Sequence, residues 1–181
     1  MFPETALHTE RLLLRPFDSS DIPDVQASCS DSLTLQWLPL PRPYTLEDAT
    51  SWCTKVAPAL HESGDGIHFA VTDCRAGRLM GTVGLKKTDW RARTSEVGYW
   101  ISPWGRGNGI AVEATRAVAR WLLTEQQFQR LELRAATGNA ASQKVAIRAG
   151  FRREGILRNA GFVHTGRVDL VLFSLLPDDF E

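Results

Sequence analysis

Glycines at 105, 107 and 109 alternate through the stretch Trp104-Gly-Arg-Gly-Asn-Gly-Ile-Ala111, behind Pro103 and ahead of an amphipathic run. The chemistry such a stretch offers belongs to its backbone. Residues without a Cβ let the main chain approach a ligand closely and take positive φ. N–H groups left without partners at a helix start, with the helix dipole behind them, attract anions. The expected guest is a phosphate. Two phosphate motifs are excluded: no lysine follows the glycines as a P-loop needs, and Val112 stands where the dinucleotide fingerprint needs its third glycine.

The flanking segments have the form needed to hold this loop. Thr94 to Ile101 alternates, with Val97, Tyr99 and Ile101 on one face and Glu96, Gly98 and Trp100 on the other, which is strand periodicity. After the loop, Ala111, Ala114, Val118 and Leu122 recur at helical spacing. Strand, loop and helix follow in the order that phosphate binding requires.

Upstream, Leu12 to Arg15 reads as a first strand, and Asp18 to Asp21 as a helix start with Pro23 in a first turn. Three prolines from Trp37 to Pro43 predict a loop carrying an aromatic. Thr45 with Asp48 suggests a capping box, followed by a helix that Pro58 bends or ends. Ile67–Thr72 and Leu79–Leu85, joined by a turn over 73–77, complete an antiparallel meander with the 94–101 strand. Downstream, Arg130 to Ala136 alternates; Asn139 is a good N-cap for a helix over 140–149, and Gly150 stands in its C′ position. Phe151 begins another strand region, and Arg167 to Leu176 reads as a strand buried on both faces.

With 181 residues and 43% hydrophobic content, the chain fits one soluble domain over 1–181. Its 21 basic and 21 acidic residues cancel, so no global basic field argues for nucleic acid. Cys29, Cys53 and Cys74 are widely spaced and form no metal or disulfide pattern, so reduced thiols and no metal are expected. Neither a leader nor a membrane span is apparent, and a cytoplasmic location is the simplest expectation.

Arg106-x-x-Gly109-x-Ala111 resembles the acetyl-CoA pyrophosphate loop of the GNAT N-acetyltransferase superfamily, whose pattern is Gln or Arg, two residues, Gly, one residue, Gly or Ala. Asn139 to Phe151 resembles the superfamily's second motif, a helix ending in Gly-Phe beside the pantetheine arm. Thr9-Glu-Arg-Leu-Leu-Leu-Arg-Pro-Phe17, Glu96 to Ile101 and Gly166 to Asp169 resemble the RimJ/RimL-type branch, the ribosomal-protein N-terminal acetyltransferases and their relatives. The resemblance spans nearly the whole chain. It implies an α/β (α+β) GNAT fold, a mixed, mostly antiparallel sheet of about seven strands flanked by helices. In that fold the sheet would be splayed between the strand ending at Ile101 and the one starting at Arg130.

Acetyl-CoA is then the expected co-substrate. Its pyrophosphate would take the backbone N–H groups of Arg106, Gly107, Asn108, Gly109, Ile110 and Ala111, and its pantetheine the strand edge at Trp100 and Ile101. The resemblance also implies cofactor contacts at Asn139, Ser142 and Lys144, Lys144 toward the 3′-phosphate. Each has an ordinary alternative: a helix cap for Asn139 and Ser142, a solvated charge for Lys144.

Direct transfer to an amine in a ternary complex needs a neutral amine and a proton for the departing thiolate. Many superfamily members supply that proton from a tyrosine four residues before the Gly of Gly-Phe, where this chain has Ala146. Ser142 is the candidate acid in its place. Glu96 is the candidate base, through a water, or else a salt-bridge partner; His68 and His164 are weaker candidates. Trp37 and Tyr99 are candidates to line the acceptor pocket, or are core aromatics. The branch implies a protein or peptide N-terminal amine as acceptor. A small-amine or antibiotic-modifying enzyme and a non-catalytic acetyl-CoA-binding module stand as alternatives, and a homodimer is compatible with the family.

Overall fold

The computed structural model describes residues 1–180. Eight strands form one sheet: β1 (Leu7–His8), β2 (Leu12–Arg15), β3 (Ile67–Asp73), β4 (Leu79–Asp89), β5 (Thr94–Ile101), β6 (Arg130–Ala136), β7 (Arg152–Val163) and β8 (Gly166–Leu175). Their spatial order is β1-β2-β3-β4-β5-β6-β8-β7. Every neighbouring pair is antiparallel except β5 and β6. The strand beyond the expected seven or so is β1, a two-residue extension that pairs Leu7 with Leu14.

Period-two alternation gives the sheet two faces with different coverings. Val97, Tyr99 and Ile101 turn toward the larger core, where Ile110, Ala114, Val118 and Leu122 of the central helical run meet Leu131, Leu133 and Phe173. That run comprises α5 (Ile110–Arg120) and a π-helical turn over Trp121–Glu125. Its buried stripe follows the helical period of the sequence. Also on this face is α6 (Ala140–Arg148), which buries Ala146. The opposite face carries a smaller core of Val25, Cys29, Tyr44, Ala49, Cys53, Ala70 and Leu79, with Trp100 packed against it.

Helices α1 (Ile22–Cys29), α2 (Ser32–Trp37), α3 (Leu46–Ser51) and α4 (Ala57–Ser63) precede the meander. The capping box expected at Thr45 is present, with Asp48 answering the Thr45 N–H at 2.8 Å. Pro58 does not end this helical region. A π-helical turn over Trp52–Val56 widens the spiral, so that Ala57 donates to the Trp52 carbonyl and Pro58 falls in the first turn of α4. A missing N–H costs nothing there. The sequence also masks α2, whose last residue is Trp37; Asp31 caps it by accepting from the N–H groups of Leu33 and Thr34.

Strand β8 departs from the expectation of burial on both faces. Val171, Phe173 and Leu175 join the larger core, whereas Arg167 and Asp169 are exposed and Leu170 and Leu172 half-buried. Arg167 and Asp169 share the face of Val171 but lie beyond the cover of the core, and Leu170 and Leu172 on the other face keep partial access to solvent.

Candidate active site

The feature that builds the site is a fork between the two parallel strands. β5 and β6 pair from Thr94 with Arg130 to Val97 with Leu133 and then part. Beyond that point β5 stays bound to β4 as far as Ile101, and β6 stays bound to β8 as far as Ala136. Gly98–Ile101 and Arg134–Ala136 therefore present facing edges with no strand between them. An extended ligand with amide groups would find backbone donors and acceptors on the β5 edge.

The glycine loop lies beyond the end of β5. Gly107 and Gly109 adopt φ of 77° and 76°, the left-handed region that glycine enters without steric cost. Gly109 is the N-cap of α5. Among the described residues, the N–H groups from Arg106 to Val112 have no acceptor within the chain, a run of donors beside a helix start.

Side chains fix this loop from three directions. Trp104 Nε1 donates to the Leu79 carbonyl at 2.8 Å, and the Arg78 guanidinium stacks 4.0 Å from the Trp104 ring. Arg106 Nη2 donates to Asp31 Oδ2 at 2.6 Å and to Thr34 Oγ1 at 2.9 Å. Arg11 Nη1 holds the Asn108 carbonyl at 3.0 Å, while Arg11 Nε donates to Glu113 of α5 at 2.7 Å. The N-terminal Thr9-Glu-Arg segment thus clamps the loop, since Thr9 Oγ1 also donates to Glu113, at 2.5 Å.

At the fork, Asn139 Oδ1 accepts from the Ser142 N–H at 3.1 Å and caps α6. Ser142 Oγ lies 2.9 Å from the hydroxyl of Tyr99, which crosses from β5. Burial pushes the Tyr99 phenol up to about 12, although its bond to Ser142 acts in the opposite direction. Both hydroxyls therefore remain protonated near neutral pH and can serve as proton donors.

A profile of the family described as "Acetyltransferase (GNAT) domain" matches residues 11–152. The chain belongs to the GNAT acetyltransferases. It is 28% identical over 176 residues to YoaA of Bacillus subtilis, an uncharacterized N-acetyltransferase, covering 97% of this chain and 98% of that one. It is 26% identical over 177 residues to the ribosomal-protein-serine acetyltransferase of Escherichia coli, covering 97% and 98%. The structure of Mycobacterium smegmatis RimJ in complex with CoA-disulfide superposes with a TM-score of 0.84 at 21% identity, over 97% of this chain and 87% of that one. Relatives of the chain thus include a ribosomal-protein-serine acetyltransferase, and its fold is that of RimJ.

Within the GNAT frame, Trp100 and Ile101 have their side chains absorbed by the smaller and larger cores, so what they leave open is backbone. The Arg106 side chain is engaged by α2, and its loop too offers N–H groups. Lys144 is exposed on α6. Trp37 reaches from α2 to the turn before Asn139, where a Cβ on Gly138 would stand 3.3 Å from its Cη2. An aromatic ring therefore borders the β6–α6 connection.

Glu96 sits on the face of the sheet away from α5 and is 6% exposed. Lys86 Nζ approaches it at 3.1 Å, Lys87 Nζ at 2.9 Å and Arg134 Nε at 3.5 Å. Burial raises its carboxyl pKa, but the two lysines outweigh that and hold it below the usual range. A carboxylate so held is a poor proton acceptor, which disfavours the expected base and describes instead the centre of an ion-pair cluster. His68 lies on the same face with its ring over Gly84 and edge-on to Trp52, 5.1 Å between centroids. Burial, and then Lys86, depress it to about 4. His164 stands exposed in the turn between β7 and β8, away from the fork.

Among the described residues, no cluster of side chains has the make-up of a metal site, and no helix is long and apolar enough to cross a membrane.

Proposed function

We propose that this GNAT enzyme transfers the acetyl group of acetyl-CoA directly to the α-amine of a protein or peptide N-terminus, both substrates meeting at the β5/β6 fork. The observation that carries the reading is the combination of open strand edges at the fork, unpaired N–H groups at the start of α5 and a hydroxyl pair between them. The N–H groups from Arg106 to Ala111 hold the pyrophosphate, and the Gly98–Ile101 edge takes the pantetheine amides as an added strand would. Asn139 Oδ1 is occupied by its cap, which leaves the Nδ2 amide for a cofactor carbonyl. Lys144 meets the 3′-phosphate.

The amine's nitrogen forms the new bond to the acetyl carbon as the carbon–sulfur bond breaks, and Ser142 Oγ–H protonates the departing thiolate. An α-amine has a reference pKa of about 8, against about 10.4 for a lysine side chain. At neutral pH a useful fraction is already neutral, so water can remove the proton without a dedicated carboxylate base. Trp37 and Tyr99 border the acceptor's approach. The name of one relative, a ribosomal-protein-serine acetyltransferase, supports a protein acceptor over a small amine.

The test is release of free CoA thiol against short peptides with free or blocked N-termini, polyamines and aminoglycosides. Turnover of the free peptides alone is expected. Turnover confined to small amines would replace the acceptor, and acetyl-CoA binding without turnover on any of these would leave a binding module.

A further inference from the structure

The family position that often carries an aryl hydroxyl is Ala146 here, fully buried in the larger core and unable to reach a thioester. Yet an aryl hydroxyl is present at the fork, supplied by the opposite wall. Tyr99 is two residues past Val97, the last residue of β5 paired with β6. Its ring packs against the larger core, and its oxygen spans the fork to the first turn of α6. There it makes two contacts with one residue, 2.9 Å to Ser142 Oγ and 3.4 Å to the Ser142 carbonyl oxygen. The Ser142 main chain is fixed independently by Asn139. The serine is thus held at both its hydroxyl and its backbone, on the rim of the opening rather than in the core.

We infer that Tyr99 is the positioning residue of the proton donor. Its hydroxyl sets the rotamer of Ser142 and refills that serine with a proton as Ser142 protonates the thiolate. A serine hydroxyl alone is a weak acid whose rotamer is free. A bonded partner removes both deficiencies, because the hydroxyl is oriented beforehand and its developing negative charge is passed on. The balance is as follows. The nitrogen lone pair forms the C–N bond, and the C–S pair leaves with sulfur. Ser142 Oγ–H gives its proton to sulfur, Tyr99 O–H gives its proton to Ser142 Oγ, and the proton shed by the amine returns through water to Tyr99.

This inference rests on the reading of Ser142 as the acid, and the experiment separates the two. Tyr99→Phe, Ser142→Ala and the double variant are compared by single-turnover acetylation of a reactive peptide, with the acetyl-CoA KM and melting temperature measured alongside. Removing a general acid is expected to slow kcat roughly a hundredfold in Ser142→Ala. Tyr99→Phe, which keeps the ring and its packing, is expected to slow it about tenfold, with KM for acetyl-CoA within about twofold. The double variant should be no slower than Ser142→Ala, because Tyr99 acts only through the serine. A rate unchanged in Tyr99→Phe, or losses that multiply in the double variant, overturns the inference while Ser142 keeps its role. An unchanged rate in Ser142→Ala removes the acid itself and the relay with it, and leaves acetyl transfer to peptides standing. Proton inventories add a readout that packing alone would not move: a bowed plot for the wild-type chain, from two protons in flight, becomes linear in Tyr99→Phe. A linear plot for the wild-type chain also overturns the relay.

Discussion

Arg106 and Asp31 share a 2.6 Å hydrogen-bonded ion pair that ties the glycine loop to the start of α2, 75 residues earlier in the chain. The guanidinium beside Asp31 holds that carboxyl below its ordinary range. The loop's basic side chain is therefore turned to the scaffold, and the loop meets an anion with its backbone. Arg106→Ala is expected to weaken CoA affinity several-fold and stability by about 1 kcal/mol, the scale of a partly buried charged hydrogen bond. Asp31→Asn decides what the arginine does. If Arg106 positions the loop, calorimetric titration with CoA should show weaker binding in Asp31→Asn as well; if the guanidinium itself held phosphate, freeing it would tighten binding.

Gly107 and Gly109 separate backbone strain from contact. Both need positive φ, which costs a side-chain-bearing residue about 1–2 kcal/mol. A Cβ at Gly107 would meet nothing within 4 Å, and one at Gly109 would make only an ordinary contact with Arg11 Nη2 at 3.6 Å. Gly109→Val should therefore lower the melting temperature by no more than that strain implies. Its CoA affinity should fall at least tenfold, because Gly109 sets the direction of the first N–H groups of α5. Equal affinity in the folded variant would remove the loop from the cofactor site.

His68 gives the stability curve an acid limb that can be assigned. The unfolded chain binds a proton on histidine near pH 6.5, whereas burial, helped by Lys86, keeps the folded ring neutral down to about 4. Below pH 6.5 the unfolded state thus takes up more protons, and stability present above that pH is lost as pH falls toward 4. His68→Gln should flatten this part of the curve in urea titrations at several pH values. The lower limb, from the Glu154 carboxyl that Arg130 and Ser174 hold near 2, should remain. Gly84→Ala probes the same contact from beneath. Its Cβ would fall 2.1 Å from His68 Nδ1, so the ring must lift away from the sheet, at a cost of about 1–3 kcal/mol.

Sequence periodicity located the two strands that matter most, because Thr94–Ile101 and Arg130–Ala136 alternate without interruption and end at turn-forming residues. The glycine loop was legible for a similar reason: its function lies in backbone conformation, and glycine spacing reports that directly. Tertiary relationships were not legible. Nothing local links Tyr99 to Ser142, 43 residues apart, and Tyr99 looks like one more core aromatic until the fork opens beside it. Glu96 reads as a strand carboxylate with a free choice of role. Its partners come from β4 and from β6, and only the assembled sheet shows that they neutralise it. Local rules left Pro58 to bend or to end its helix, and only the structure shows which: the residue that breaks an α-helical ladder is accommodated when a wider turn precedes it.

The three cysteines should separate cleanly in a labelling experiment. Cys29 and Cys53 are 2% and 4% exposed in the smaller core, and burial pushes both thiols up to about 12. For Cys53, the carboxylates of Asp21 and Asp18 push further in the same direction. The thiolate is the reactive form, so these two residues lack both access and ionisation, whereas Cys74 is exposed in the turn after β3. A bulky aromatic disulfide reagent at pH 8 should label one thiol per native chain, mapped by mass spectrometry to Cys74, and three in denaturant. Because Cys53 lies in the π-helical turn that accommodates Pro58, its labelling rate reports opening of that turn. Slow labelling of Cys53 at the rate of global unfolding is the expected result. Labelling of Cys53 well before Cys29 would mean that the turn opens on its own, ahead of the core that Trp100 joins.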